Sequence, residues 1–223
     1  MNHVLRIALI FALVIANGTV FAKDRAHFRH HLYKVTITNL TYQQSFTPIL
    51  AVTHPTQANL LFNLGEAASE QLGILAAGGD TVPLQELLQS TSELTDTSTS
   101  PGLLGPGESV SLEIEATRKD RLSLAAMLIP TNDAFFSFQN LPMPLKGHSA
   151  VTRGPAYDAG VELNDELCIN IPGPVCGGTG VSPEQNGEGF VHIHRGIHGI
   201  GDLGASEYDW RNPVARVEIV RAD

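Results

Sequence analysis

Apolar and polar residues alternate with period two in Tyr33-Lys-Val-Thr-Ile-Thr38 and again in Val110-Ser-Leu-Glu-Ile-Glu-Ala116. Successive side chains of a strand point to opposite faces, so this spacing puts Leu112 and Ile114 on a core face and Glu113 and Glu115 on the other. Residues 122–129 are nearly all apolar. The chain closes with Val214-Ala-Arg-Val-Glu-Ile-Val-Arg221, rich in β-branched side chains and preceded by the turn pair Asn212-Pro213. Strands are therefore predicted at both ends of the chain. Between them, residues 65–77 combine good helix formers with a Gly78-Gly79 stop, and a shorter helix over 83–89 can start from Asp80 or Thr81, with Pro83 just inside it. The Ser- and Thr-rich stretch 90–100 reads as an exposed loop, and no internal repeat is present. Together these predict an all-β fold, an antiparallel β-sandwich with one or two short helices in a connection.

The apolar run at 7–16 belongs to a different category. It follows Arg6, is shorter than the roughly 20 residues that cross a bilayer, and ends in Val20-Phe21-Ala22. This is the pattern of an export signal cut after Ala22. Residues 1–22 are expected to be a signal peptide and 23–223 a single secreted or periplasmic domain with no transmembrane span. Without Arg6 the chain carries 13 basic and 23 acidic residues. Such an acidic balance disfavours nucleic acid, which needs a basic face, and favours a cation. In an oxidising compartment the only two cysteines, Cys168 and Cys176, are expected to pair across a short loop; two soft metal ligands would lack the second Cys/His pair of a structural zinc site.

Acidic residues stand in sharply turning sequence: Asp133 in Thr131-Asn-Asp-Ala-Phe135, and Asp158 and Glu162 in Tyr157-Asp-Ala-Gly-Val-Glu162. Calcium takes roughly six to eight oxygens, and carboxylates on neighbouring loops can supply several, with Gly160 allowing a tight bend. Asn132, Asn164, Asp165 and Glu166 offer further oxygens nearby. The same residues equally suit Asx turns, and no linear calcium-loop motif is present. A second constellation is Gly189-Phe-Val-His-Ile-His-Arg-Gly-Ile-His-Gly-Ile-Gly-Asp202. His192 and His194 share a face of a strand, His198 can fold back after Gly196, and Asp202 or His54 can complete a zinc or copper site. Imidazoles in a Gly-rich bend also serve as plain hydrogen-bonding groups, with Asp209-Trp210-Arg211 holding the bend by an ion pair and stacking. No nucleophile elbow, zinc-protease helix or phosphate-cradling loop occurs. Asn39-Leu-Thr41 fits a glycosylation sequon.

The strings Leu122-Ser-Leu-Ala-Ala-Met-Leu-Ile-Pro-Thr-Asn-Asp-Ala-Phe135, Tyr157-Asp-Ala-Gly160 and Asn212-Pro-Val-Ala-Arg-Val-Glu-Ile-Val-Arg221 resemble the spondin N-terminal domain of F-spondin and mindin. The resemblance runs from about Tyr33 to Arg221. It is strongest to the bacterial branch, through Thr47-Pro-Ile-Leu-Ala-Val-Thr-His54, Leu103-Leu-Gly-Pro-Gly107 and Phe190-Val-His-Ile-His-Arg-Gly-Ile-His-Gly199. It implies a C2-like sandwich with calcium at one edge, held by Asp133, Asp158 and Glu162, the last an Asp in animal members. Glu115 is the nearest match to a further acidic ligand. The implied role is a binding or adhesion module for an extracellular protein or glycan. The alternative is a zinc or copper enzyme or metal-handling protein built on His192, His194 and His198.

Overall fold

The computed structural model describes residues 29–56, 59–181 and 186–223, so the expected export signal at 1–22 lies outside the described residues. In chain order the strands are β1 (His31–Asn39), β2 (Ser45–Phe46), β3 (Leu50–His54), β4 (Asp96–Thr99), β5 (Ser109–Ala116) and β6 (Arg121–Ile129). They continue as β7 (Ala134–Pro142), β8 (Ser149–Gly154), β9 (Ala156–Asp158), β10 (His192–Ile193) and β11 (Ala215–Arg221). The helices are α1 (Glu70–Gly78), α2 (Val82–Thr91) and α3 (Ala205–Tyr208). One sheet has the order β5-β1-β11-β8; the other runs β10-β9-β7-β6-β3-β4, with β2 also paired to β6. All pairings are antiparallel. The predicted all-β sandwich is what the chain forms.

The period-two pattern is what buries the first sheet on one side. Val35 of β1 stands opposite Leu112 of β5 and Ile219 of β11, and all three enter the core between the sheets. The near-continuous apolar run of β6 has another cause. Leu122, Leu124, Ala126 and Leu128 face the sandwich core, whereas Ala125 faces a second apolar layer with Leu50, Val52 and Phe135. Leu72 and Leu75 of α1 and Leu84 and Leu88 of α2 cover that outer face. A strand buried on both faces has no polar side to present.

Helix boundaries follow the caps. Ser69 Oγ accepts the Leu72 N–H, so α1 begins at Glu70 rather than at residue 65, and it stops at Gly79, whose φ is 72°. Asp80 accepts the Val82 N–H ahead of α2, which extends to Thr91. The expected exposed loop at 90–100 is corrected: residues 96–99 form β4, pairing with β3 from Leu50↔Thr99 to Thr53↔Asp96. Thr residues tolerate an edge strand well, and their polarity hid it. Cys168 and Cys176 are disulfide-bonded, as expected. Asn39 of the sequon is wholly buried, and its side chain bonds Gln44, Leu104 and Thr41, so in the fold it is closed to glycosylation.

Candidate metal centre

Register assembles the site. Asp158, the last residue of β9, pairs with Ala134 of β7 on one side and with His192 of β10 on the other. Asp133 immediately precedes Ala134, in a turn that the Thr131 hydroxyl closes by accepting the Ala134 N–H at 3.2 Å. Asp133 Oδ2 accepts the N–H groups of Val161 at 2.8 Å and Glu162 at 3.1 Å, which staples the turn to the loop after β9. Asp158 Oδ1 accepts the Gly160 N–H at 2.8 Å, and Oδ2 accepts Asn164 Nδ2 at 2.7 Å. Gly160 is needed for this bend. Its φ is +67°, and a Cβ there would stand 2.4 Å from the Phe190 carbonyl oxygen.

Asp133, Asp158 and Glu162, three of the expected ligands, are thus neighbours and all buried. Burial, then the Asp158 charge, push the Asp133 carboxyl up to about 8, partly offset by the two backbone N–H groups. None of the groups acting most strongly on it is positively charged. Its Oδ1 is buried and accepts no hydrogen bond. Burial also raises the Asp158 pKa against the hydrogen bonds from Asn164 and Gly160. Glu115 is not brought here. It lies exposed on β5, 3.4 Å from His30, with its N–H on Asp96 of β4, at the opposite edge of the second sheet from β10.

The four neighbouring oxygens anticipated around Asp133 support the loops. Asn132 donates to Asp165 and accepts the Glu166 N–H, and Glu166 accepts N–H groups of His198 and Ile200.

The histidines separate by role. His192 Nδ1 faces the Ile193 carbonyl at 3.1 Å and so carries the ring proton there in the neutral form. Its Nε2 is buried without a hydrogen bond, 3.6 Å from Asp158 Oδ1 and 3.7 Å from Glu188 Oε2. His194 has the reverse tautomer: Nδ1 accepts the Gly196 N–H at 2.9 Å, leaving the proton on Nε2, which points at Asp158 Oδ2 from 3.8 Å. Burial lowers its pKa to about 3. Its ring lies on Trp210 with centroids 4.9 Å apart, while Asp209 accepts the Ile197 N–H and pairs with Arg211, so the bend is held as expected. His198 is exposed on the next turn. Asp202 accepts the Cys168 N–H, and both nitrogens of buried His54 are engaged, by Pro55 and Ser123, four strands from β10. The four-ligand histidine set therefore does not assemble. Among the described residues, the group whose ligand atoms all lie within 4.8 Å is Asp158, Glu188 and His192. Glu188 was missed by sequence reasoning; its only local signal is its place four residues before His192, between Gly187 and Gly189.

Among the described residues no helix is long and apolar enough to cross a membrane. Compared with protein-family models and with curated proteins, the chain matches none.

Proposed function

We propose that this chain is an exported, spondin-type binding or adhesion module whose buried carboxylates Asp133, Asp158 and Glu162 hold a calcium ion. The observation that carries this reading is Asp133: a carboxylate with no exposure, one oxygen spent on two backbone N–H groups and the other facing no donor, beside two further buried acids. A buried charge without a partner is strongly unfavourable, and a divalent cation with oxygen preference resolves the conflict. The ion is structural. It ties the turn before β7 to the loop after β9, and the loops around that edge expose Leu163, Leu167, Ile169, Phe190 and Ile200. Exposed apolar side chains on loops held rigidly suit recognition of an extracellular protein or glycan.

Calcium at about a hundred times its dissociation constant stabilises the native state by about 2.7 kcal/mol, a rise of roughly 5–10 °C in Tm for a chain of this size. In Asp158→Asn that rise disappears. Asp133→Asn separates the ion from the fold: its amide oxygen can keep both backbone hydrogen bonds, so the chelated variant is expected to melt no lower than chelated wild type while ignoring calcium. A wild-type Tm indifferent to calcium and to chelator would overturn the reading.

A further inference from the structure

Beyond the calcium reading, and sharing only Asp158 with it, we infer that Asp158, Glu188 and His192 form a second metal site, selective for a borderline divalent ion of the zinc class. Three features of the geometry converge. Asn164 Nδ2 reaches Oδ2 of Asp158 at 2.7 Å and Oε1 of Glu188 at 3.4 Å, so one amide sets the two carboxylates side by side. The other oxygen of each then faces His192 Nε2, at 3.6 and 3.7 Å. Those separations are too long for hydrogen bonds. They suit ligands of one ion: donors bound at about 2.0–2.2 Å in a tetrahedron stand about 3.4 Å from each other.

The tautomer of His192 also favours a cation. With its Nδ1–H directed at the Ile193 carbonyl, His192 presents an Nε2 lone pair to two carboxylate oxygens, an arrangement that is repulsive until a cation sits among them. His194, 97% of whose side chain is buried, turns an unpartnered Nε2–H rather than a lone pair toward the far oxygen of Asp158, 3.8 Å away, and so is not a ligand of the ion. The Phe190 ring lies 5.3 Å from that of His192 and limits its rotation. Imidazole with two carboxylates is a zinc-class donor set, whereas calcium prefers oxygen throughout. Glu188 is exposed, so a coordination position remains on the solvent side.

The test uses the full chain, stripped by chelator and then saturated with calcium, titrated with Zn²⁺ by calorimetry and with Co²⁺ by visible absorption. One equivalent of zinc, with Co²⁺ bands of a four- or five-coordinate nitrogen and oxygen site, is expected. His192→Gln and Glu188→Gln should each weaken zinc by about 100-fold or more, because each removes a ligand, and leave the calcium-induced Tm shift unchanged. Asp133→Asn should do the opposite, losing calcium and keeping zinc, which separates failure of this site from failure of the calcium reading. Wild type without zinc affinity below the millimolar range, or zinc binding that survives His192→Gln, would overturn the second site.

Discussion

Asp133 concentrates the chemistry of the site in one residue. Its carboxyl, pushed up to about 8 by burial and by Asp158, holds a proton at pH 7 when no cation is present. A metal ligand must be deprotonated, so calcium binding at pH 7 should release close to one proton, seen as a dependence of the calorimetric enthalpy on the buffer's ionisation enthalpy. Apparent calcium affinity should climb as pH rises toward about 8 and level off above it. Asp133→Asn should remove the proton release, and wild-type binding with no buffer dependence would place Asp133 outside the site. His192 and His194 show how finely residue identity is resolved by context: they are two positions apart in one Gly-rich string. Yet one backbone carbonyl and one backbone N–H give them opposite tautomers and opposite uses.

At the level of elements, the site depends on β9 ending and bending in the right place. Three loops converge there: 131–133 through Asp133, 159–164 through Gly160 and Asn164, and 188–192 through Phe190. Gly160→Ala places a methyl against the Phe190 carbonyl in a left-handed conformation, so the loop must move. The expected result is a loss of about 2 kcal/mol or more and at least a tenfold weaker calcium response. Gly65→Ala is the control: its φ is +83° but nothing lies within 4 Å of the added carbon, so only the backbone strain of about 1–2 kcal/mol applies and calcium affinity should hold. Denaturant unfolding with and without calcium distinguishes the two. The same element-level logic explains where strand prediction failed: β4 is polar because it is an edge, and β10 is two residues long, recognisable only by its register with Tyr157 and Asp158.

Over the whole molecule, two apolar layers share the second sheet, one between the sheets and one beneath α1 and α2. Buried histidines inside this framework make its stability sensitive to acid. His54 and His194 are both buried, and burial lowers both pKa values below 6.5, His194 to about 3. A depressed imidazole pKa means the unfolded chain binds the proton more readily. The stabilisation is therefore complete above pH 6.5 and is lost as pH falls from there through the folded-state values, at up to about 1.4 kcal/mol per pH unit for each ring. Without calcium, Asp133 acts in the opposite direction, since an acid with a raised pKa favours the fold at low pH and disfavours it as pH rises from 3.8 toward about 8. Urea unfolding from pH 7.5 to 5 in saturating calcium should accordingly show falling stability. His54→Gln should flatten part of that slope, and an unchanged slope in the variant would remove His54 from the account.

Period-two alternation told which faces of β1 and β5 are buried, because the side a residue points to is a local property of an extended backbone. The nearly continuous apolar run of β6, the Gly79 stop and the cysteine pair were legible for the same reason: each is decided within a few residues. Neighbourhood across the fold is another matter. Glu115 and Glu188 are equally acidic in sequence, yet register carries the first to the far edge beside β4 and loop closure carries the second to within 3.7 Å of His192. Which carboxylates come together depends on strand order, on pairing between distant segments and on a single positive-φ glycine. Only the packed structure holds that information, because the free energy that brings those charges together comes from the apolar layers around them rather than from the acidic residues themselves.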